Sequence, residues 1–231
     1  MKSRVTKLSA TIFFSLFILL SQALAGPPLI CHSFDIGNAK SLPWVSHDWK
    51  LTGSESYNVN HLVSDTIAIL DSDSTVLVHM ETLRRAVLYS QNDPVVAKHL
   101  LLAFVARSDK AASTPSAALA NFDAGYLAET FKQFEWISKS KNDPARNFDG
   151  YKLIKTALQQ RPSDAQMEFA AALVTLDGPI SEQKLHSQKA LAGAASDALL
   201  ARNLATHFMT PQTESMAAMI SRNSNTKVAQ K

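Results

Sequence analysis

The chain has 231 residues with 23 Lys and Arg against 20 Asp and Glu, and three of its positive charges, Lys2, Arg4 and Lys7, lie in the first 25 positions, which carry no acidic residue. From Gly26 onward the charges balance, so the sequence has no electrostatic footprint for nucleic acid or an anionic membrane surface. A single cysteine, Cys31, rules out an intramolecular disulfide.

Residues 1–25 read as a secretory signal peptide. Lys2, Arg4 and Lys7 form its positive start, Ile12 to Leu20 its short apolar stretch, and Ala23-Leu24-Ala25 its small-residue cleavage site. The apolar stretch is about half of the ~20 residues needed to span a bilayer. Cleavage before Gly26 is expected, giving an exported chain in the periplasm or outside the cell. No second apolar segment of spanning length follows, so no membrane insertion is expected once the signal is removed.

Residues 26–61 differ in composition and are expected to be an irregular, aromatic-rich N-terminal segment. They hold Cys31, Trp44 and Trp49, and the histidines His32, His47 and His61. Cys31-His32 is the sharpest chemical feature: a thiolate and an imidazole can bind Zn²⁺ or Cu⁺, and an imidazolium can activate a thiol. Adjacent residues rarely serve one ion, however, and no Cys-x-x-Cys or His-Glu-x-x-His motif supplies further ligands. The competing reading is a half-buried thiol and a surface His in a segment pinned by Phe34, Trp44 and Trp49. Cys31 could also join two chains by a disulfide. Trp44 and Trp49 are candidate partner-binding aromatics, or else anchors that hold the segment on the domain behind it.

Residues 62–210 are expected to be helical. Val76, Met80, Leu83 and Val87 recur at spacings of four, three and four, which puts them on one helix face. Asp93-Pro94 reads as a helix start, with Asp93 the cap and Pro94 in the first turn. Val96, Leu100 and Phe104 belong to that helix, which fades near Ser108-Asp109. Ser116 to Phe134 and Tyr151 to Gln160 make two more helices, the second ended by Pro162. Ser163 is expected to open the next in a capping box with Gln166, and Asp177-Gly178-Pro179 stops it. Ser181 to Ala192 and Asp197 to Phe208 form the last pair, broken at Gly193. His79, Glu81 and Arg84-Arg85 are expected on a solvated face with a Glu81–Arg84 ion pair, while His99, His186 and His207 stand alone. Residues 211–231 form a polar tail.

A junction recurs through this domain. Ala157-Leu158 precedes Asp164-Ala165, Ala190-Leu191 precedes Asp197-Ala198, and Ala86-Val87 precedes Asp93-Pro94, with the Ala seven residues before the Asp each time. These junctions resemble tetratricopeptide repeats, in which a helix ending in Ala-Leu is followed by a few polar residues, a Pro and an Asp or Asn. Leu204 and Phe208 after Asp197, and Leu100 and Phe104 after Asp93, stand at the family's seventh and eleventh positions. The junction Pro occurs once, as Pro162, and the family's early Trp is missing. The resemblance implies an all-α fold of stacked antiparallel helix pairs, a tetratricopeptide-like α-solenoid; an irregular multi-helix bundle is the alternative.

Nucleophile elbows, phosphate loops and dinucleotide fingerprints are missing. No catalytic, cofactor-binding or metal-binding set is therefore assigned, with Cys31 and His32 the only metal candidates. The function expected is that of a scaffold binding an unidentified protein or peptide, with a metal- or thiol-dependent protein using Cys31 and His32 as the alternative.

Overall fold

The computed structural model describes residues 28–45, 51, 53–138 and 143–207, and every regular element among them is helical. Residues 1–25, expected to be a signal peptide, and His47, Trp49, Phe208 and the expected tail 211–231 lie outside these residues. A short helix α1 (Pro28–Cys31) and a 3₁₀ turn (Val59–His61) come first. They are followed by α2 (Leu62–Ser72), α3 (Val76–Ser90), α4 (Pro94–Ala111), α5 (Ala117–Ser138), α6 (Gly150–Gln160), α7 (Ala165–Val174), α8 (Ile180–Ala194) and α9 (Ala198–His207). The protein is all-α over this span.

The recurrent aspartates do the same physical work at three places. Asp93 Oδ1 accepts from the Val95 and Val96 amides at 2.9 and 3.1 Å at the start of α4. Asp164 Oδ1 accepts from Gln166 and Met167 at 3.1 and 3.0 Å at the start of α7. Asp197 Oδ1 accepts from Leu200 at 2.9 Å in the first turn of α9. Each satisfies amides that a helix start leaves without partners. Seven residues upstream of each, Ala86, Ala157 and Ala190 are 0% exposed, small enough for the neighbouring helix to close over them.

Two local expectations are corrected. Ser163 is not the cap of α7, since Asp164 takes that place. Gln166 is therefore free to act at long range: its Oε1 accepts from the Leu77 amide at 3.0 Å and its Nε2 donates to Asp197 Oδ2 at 2.6 Å. One side chain thereby joins the first turns of α3, α7 and α9. Gly193 does not break α8 but lies within it. A Cβ there would stand 2.1 Å from the Cβ of Ala165, so the glycine permits the close approach of α7 and α8.

Pairings across the molecule give the helix directions. Asn121 bonds Gln160 while Gly125 abuts Gly150, so α5 and α6 are antiparallel. Ala165 meets Gly193 and Glu168 meets His186, so α7 and α8 are antiparallel too. His79 of α3 pairs with Asp123 early in α5, while Ser90 at the end of α3 shares a cleft with Phe131 and Phe134 late in α5. Those two helices run in the same direction, with α4 returning between them.

A single apolar cluster extends from Leu29 through Leu83, Phe104, Phe122 and Phe169 to Leu204. An alternating stack of helix pairs and a multi-helix bundle both accommodate this packing. The N-terminal segment belongs to the core rather than lying over it: Leu29, Ile30 and Leu42 are 0% exposed and Phe34 is 3% exposed. Each such side chain contributes about 1.5–3 kcal/mol by leaving water.

Candidate functional site

The charged residues expected on a solvated face of α3 instead face inward. Only Arg85 and Tyr89 of that helix fall short of full burial. Burying a carboxylate is tolerable only when its oxygens are paired and hydrogen-bonded. Glu81 meets that condition through Arg84 Nε at 2.9 Å, Arg85 Nε at 2.7 Å and the Phe34 amide at 3.0 Å. The expected Glu81–Arg84 ion pair forms, but in the interior.

Those same guanidinium groups hold the N-terminal segment. Arg84 Nη1 donates to the Ile30 carbonyl at 3.0 Å and Arg85 Nη1 to the Leu42 carbonyl at 2.5 Å. Tyr89 Oη donates to the Pro43 carbonyl. From α5, Gln133 Oε1 accepts from the Leu29 amide at 2.9 Å. From α9, Asn203 Oδ1 accepts from the Asp35 amide at 2.8 Å while its Nδ2 donates to the Asp35 carbonyl at 2.8 Å. The segment has little regular structure of its own, so helix side chains supply the partners its backbone needs. The geometry is that of a mostly irregular segment, opened by the single helical turn α1, held by its main chain in a groove, with Leu29, Ile30, Phe34 and Leu42 filling the floor.

The candidate residues of this segment separate. Trp44 packs edge-on to Tyr89 at 5.8 Å, with the Arg84 and Arg85 guanidinium groups 5.3 and 5.9 Å from its ring centroid. It is partly buried and packs against the core cluster; Trp49 lies outside the described residues. Cys31 is half-buried, and burial pushes its thiol up, partly offset by Arg84. A raised thiol has less of the reactive thiolate at neutral pH. His32 is held below its ordinary value by burial and by Arg84. Its ring meets that of His207 at 5.7 Å, and among the described residues no group of three or more His, Cys, Asp or Glu is placed to hold a metal ion.

His207 does not stand alone on its helix. It stacks on Phe34 at 4.4 Å with the rings 7° from parallel, and meets the edge of Phe169 at 5.6 Å. Nδ1 lies 2.9 Å from the Asn203 carbonyl, which can only accept, so the proton sits on Nδ1. Burial lowers its pKa to about 4.

Two further buried histidines carry carboxylate partners. His79 Nδ1 lies 2.6 Å from Asp123 Oδ1 and Nε2 lies 2.7 Å from the Asp73 carbonyl. Burial alone would lower this histidine, but the Asp123 carboxylate outweighs it and the pKa stands above the ordinary value. With both ring nitrogens engaged, the imidazole offers no lone pair to a reactant, although Asp123 Oδ2 is buried without a hydrogen-bond partner; the pair fixes the turn before α3 to α5. His186 Nδ1 bonds Glu168 and its Nε2 lies 2.7 Å from Tyr151 Oη, while Lys189 donates to Glu168 at 2.8 Å. Burial would raise Glu168, but His186 and Lys189 hold it low. Carboxylate, imidazole and hydroxyl stand in the order of an acid–base relay. Burial and Glu182, however, push the Tyr151 hydroxyl far above its ordinary value, so it stays protonated. The set clamps α6, α7 and α8 together.

Of the other surface clefts, one brings Ser54, Ser56, Tyr57, His61 and Asp65 to its lining, with the Tyr57 hydroxyl donating to Asp65 Oδ2 at 2.9 Å. A second, of about 280 Å³, is lined by Pro94, Phe131, Phe134, Glu135 and Asp143. Another of about 370 Å³ lies where α3, α7 and α9 begin, among Arg161, Asp164, Gln166 and Asp197. None of these reaches His79 or His186. No helix among the described residues is long and apolar enough to cross a membrane. Compared with known protein families, curated proteins and solved structures, the chain matches none.

Proposed function

We propose that this protein is an exported, tetratricopeptide-like helical scaffold whose groove receives an extended segment of a protein or peptide. The carrying observation is the grip on residues 29–43. Six side chains, Glu81, Arg84, Arg85, Tyr89, Gln133 and Asn203, bind main-chain groups, while apolar pockets take Leu29, Ile30, Phe34 and Leu42. Main-chain recognition combined with anchor pockets is a general means of holding extended peptides. The returning helices α4, α6 and α8 and the three aspartate-capped junctions support the repeat-like reading. Export is supported by the leader-like residues 1–25.

A titration tests the binding role. In the full chain, Leu29→Asp with Ile30→Asp disfavours docking of the resident segment. A fluorescent peptide with the sequence of residues 26–45 should then bind with micromolar affinity and should bind the unmutated protein at least tenfold more weakly. If the variant keeps its helical circular dichroism and shows no saturable anisotropy change, the reading is wrong.

A further inference from the structure

We propose that residues 28–45 exchange between two copies of the chain, each segment lying in the other copy's groove to form a twofold dimer. This rests on the groove being a peptide receptor and names its partner. Three observations point to it.

The grip is indifferent to which chain supplies the segment. Most of its polar contacts run from side chains of α3, α5 and α9 to main-chain atoms of residues 29, 30, 34, 35, 42 and 43, with side-chain pairs at Ser41–Thr82 and Asp35–Arg202. The apolar anchors Leu29, Ile30, Phe34 and Leu42 occupy the core. Every one of these contacts is reproduced when the segment arrives from a second copy, so the exchanged and closed forms differ mainly at the connection and in chain entropy.

The groove has a strong reason to be filled. Withdrawing the segment uncovers the pockets of four buried anchors and strips Glu81 of the Phe34 amide and Arg84 and Arg85 of their carbonyl acceptors. An opened molecule therefore recaptures a segment, and at high protein concentration a neighbouring copy competes to supply it.

The connection is short, and its exit bears an exposed apolar side chain. Trp44 is held against Tyr89, and the Leu51 carbonyl accepts from Gln91 Nε2 at 3.4 Å, so only residues 45–50 link two points tethered to α3. Short connections between an exchangeable element and its body favour swapping. Val45, at this exit, is 71% exposed.

The test starts with purified protein held near millimolar concentration in sub-denaturing urea and returned to buffer. Light scattering after size exclusion should show a dimer that persists on dilution for hours. Equal amounts of ¹⁵N-labelled and unlabelled protein treated together should give a mixed dimer at about half of the dimer population by native mass spectrometry. Asp35→Cys with Asn203→Cys, in a Cys31→Ser background, should form a bridge between chains in that dimer and within the chain in the monomer. If these substitutions prevent folding, crosslinking in the isotope-mixed wild-type dimer gives the same information, because Lys40 should link across isotopes to groove helices. Protein that stays monomeric throughout overturns the proposal. So does a dimer whose segments remain in their own grooves, or one abolished by Cys31→Ser. Peptide binding by the Leu29→Asp, Ile30→Asp variant without exchange would leave the receptor reading standing and remove only this one.

Discussion

Asn203 grips both main-chain groups of Asp35, accepting from its amide and donating to its carbonyl, each at 2.8 Å, across 168 positions of sequence. The Asp35 carboxylate adds an exposed contact with Arg202 Nε at 2.6 Å. The amide pair carries most of the restraint, because exposed ion pairs contribute little.

Replacing Asn203 with Leu should therefore loosen the segment without dissolving the helices. Losing two net hydrogen bonds of about 0.5–1.5 kcal/mol each favours opening by roughly fivefold to a hundredfold. The rate at which Cys31 reacts with a thiol reagent should rise by that factor, with helical circular dichroism unchanged. Arg202→Ala should change the rate less than twofold. Equal rates in Asn203→Leu and wild type would show that the lock does not govern access to Cys31.

Glu81→Gln tests the buried charge cluster. Removing the carboxylate charge leaves two guanidinium groups next to the core without their counter-ion. Breaking buried pairs in this way costs about 3–5 kcal/mol. The urea midpoint should fall accordingly. A loss below about 1 kcal/mol would mean that water reaches Arg84 and Arg85 more freely than their burial indicates.

His207 and His79 should give opposite pH dependences. The folded pKa of His207, about 4, lies below the ordinary 6.5, so its contribution is present above pH 6.5 and is lost as pH falls toward 4. At roughly 1.4 kcal/mol per unit, the full effect is at most about 3 kcal/mol. His79 has a raised pKa, so its contribution is present below 6.5 and is lost as pH rises through the folded value. In urea titrations from pH 4 to 9, His207→Phe should flatten the acid limb and His79→Gln the alkaline limb. A His207→Phe curve parallel to wild type between pH 4 and 6.5 would refute the first assignment.

Gly193→Ala should destabilise although alanine is the better helix former. The added methyl would meet Ala165 at 2.1 Å, and overpacking of this kind costs about 1–3 kcal/mol. The helical gain of about 1 kcal/mol offsets only part of that. A rise in melting temperature would show that α7 and α8 have room to separate.

The Asp93 cap was legible in the sequence because capping is local, acting within three residues, and the recurrent spacing put Asp197 at the start of its helix, where it does the same work. Asp164 was masked by its neighbour Ser163, an equally good cap by type, and only the path of the chain decides between them. Glu81, Arg84 and Arg85 were misplaced because their partners at Ile30, Phe34 and Leu42 are about forty to fifty residues away. A signal was nevertheless present. Val76-Leu77-Val78 and Ala86-Val87-Leu88 put apolar groups on all sides of α3, and such a helix is buried. Of the N-terminal segment, the pinning role of Phe34 and Trp44 could be read from composition. The groove beneath could not, because its walls come from helices spread over more than a hundred residues.

The span between Asp35 and Asn203 also orders events in time. The first piece of the body to be synthesised finds its last partner only when α9, the final described helix, exists. Until then Leu29, Ile30 and Phe34 have incomplete cover, and contacts of such long sequence separation form slowly. The segment around Asp35 therefore stays incompletely covered until the last described helix has been made, and is open to proteases until then.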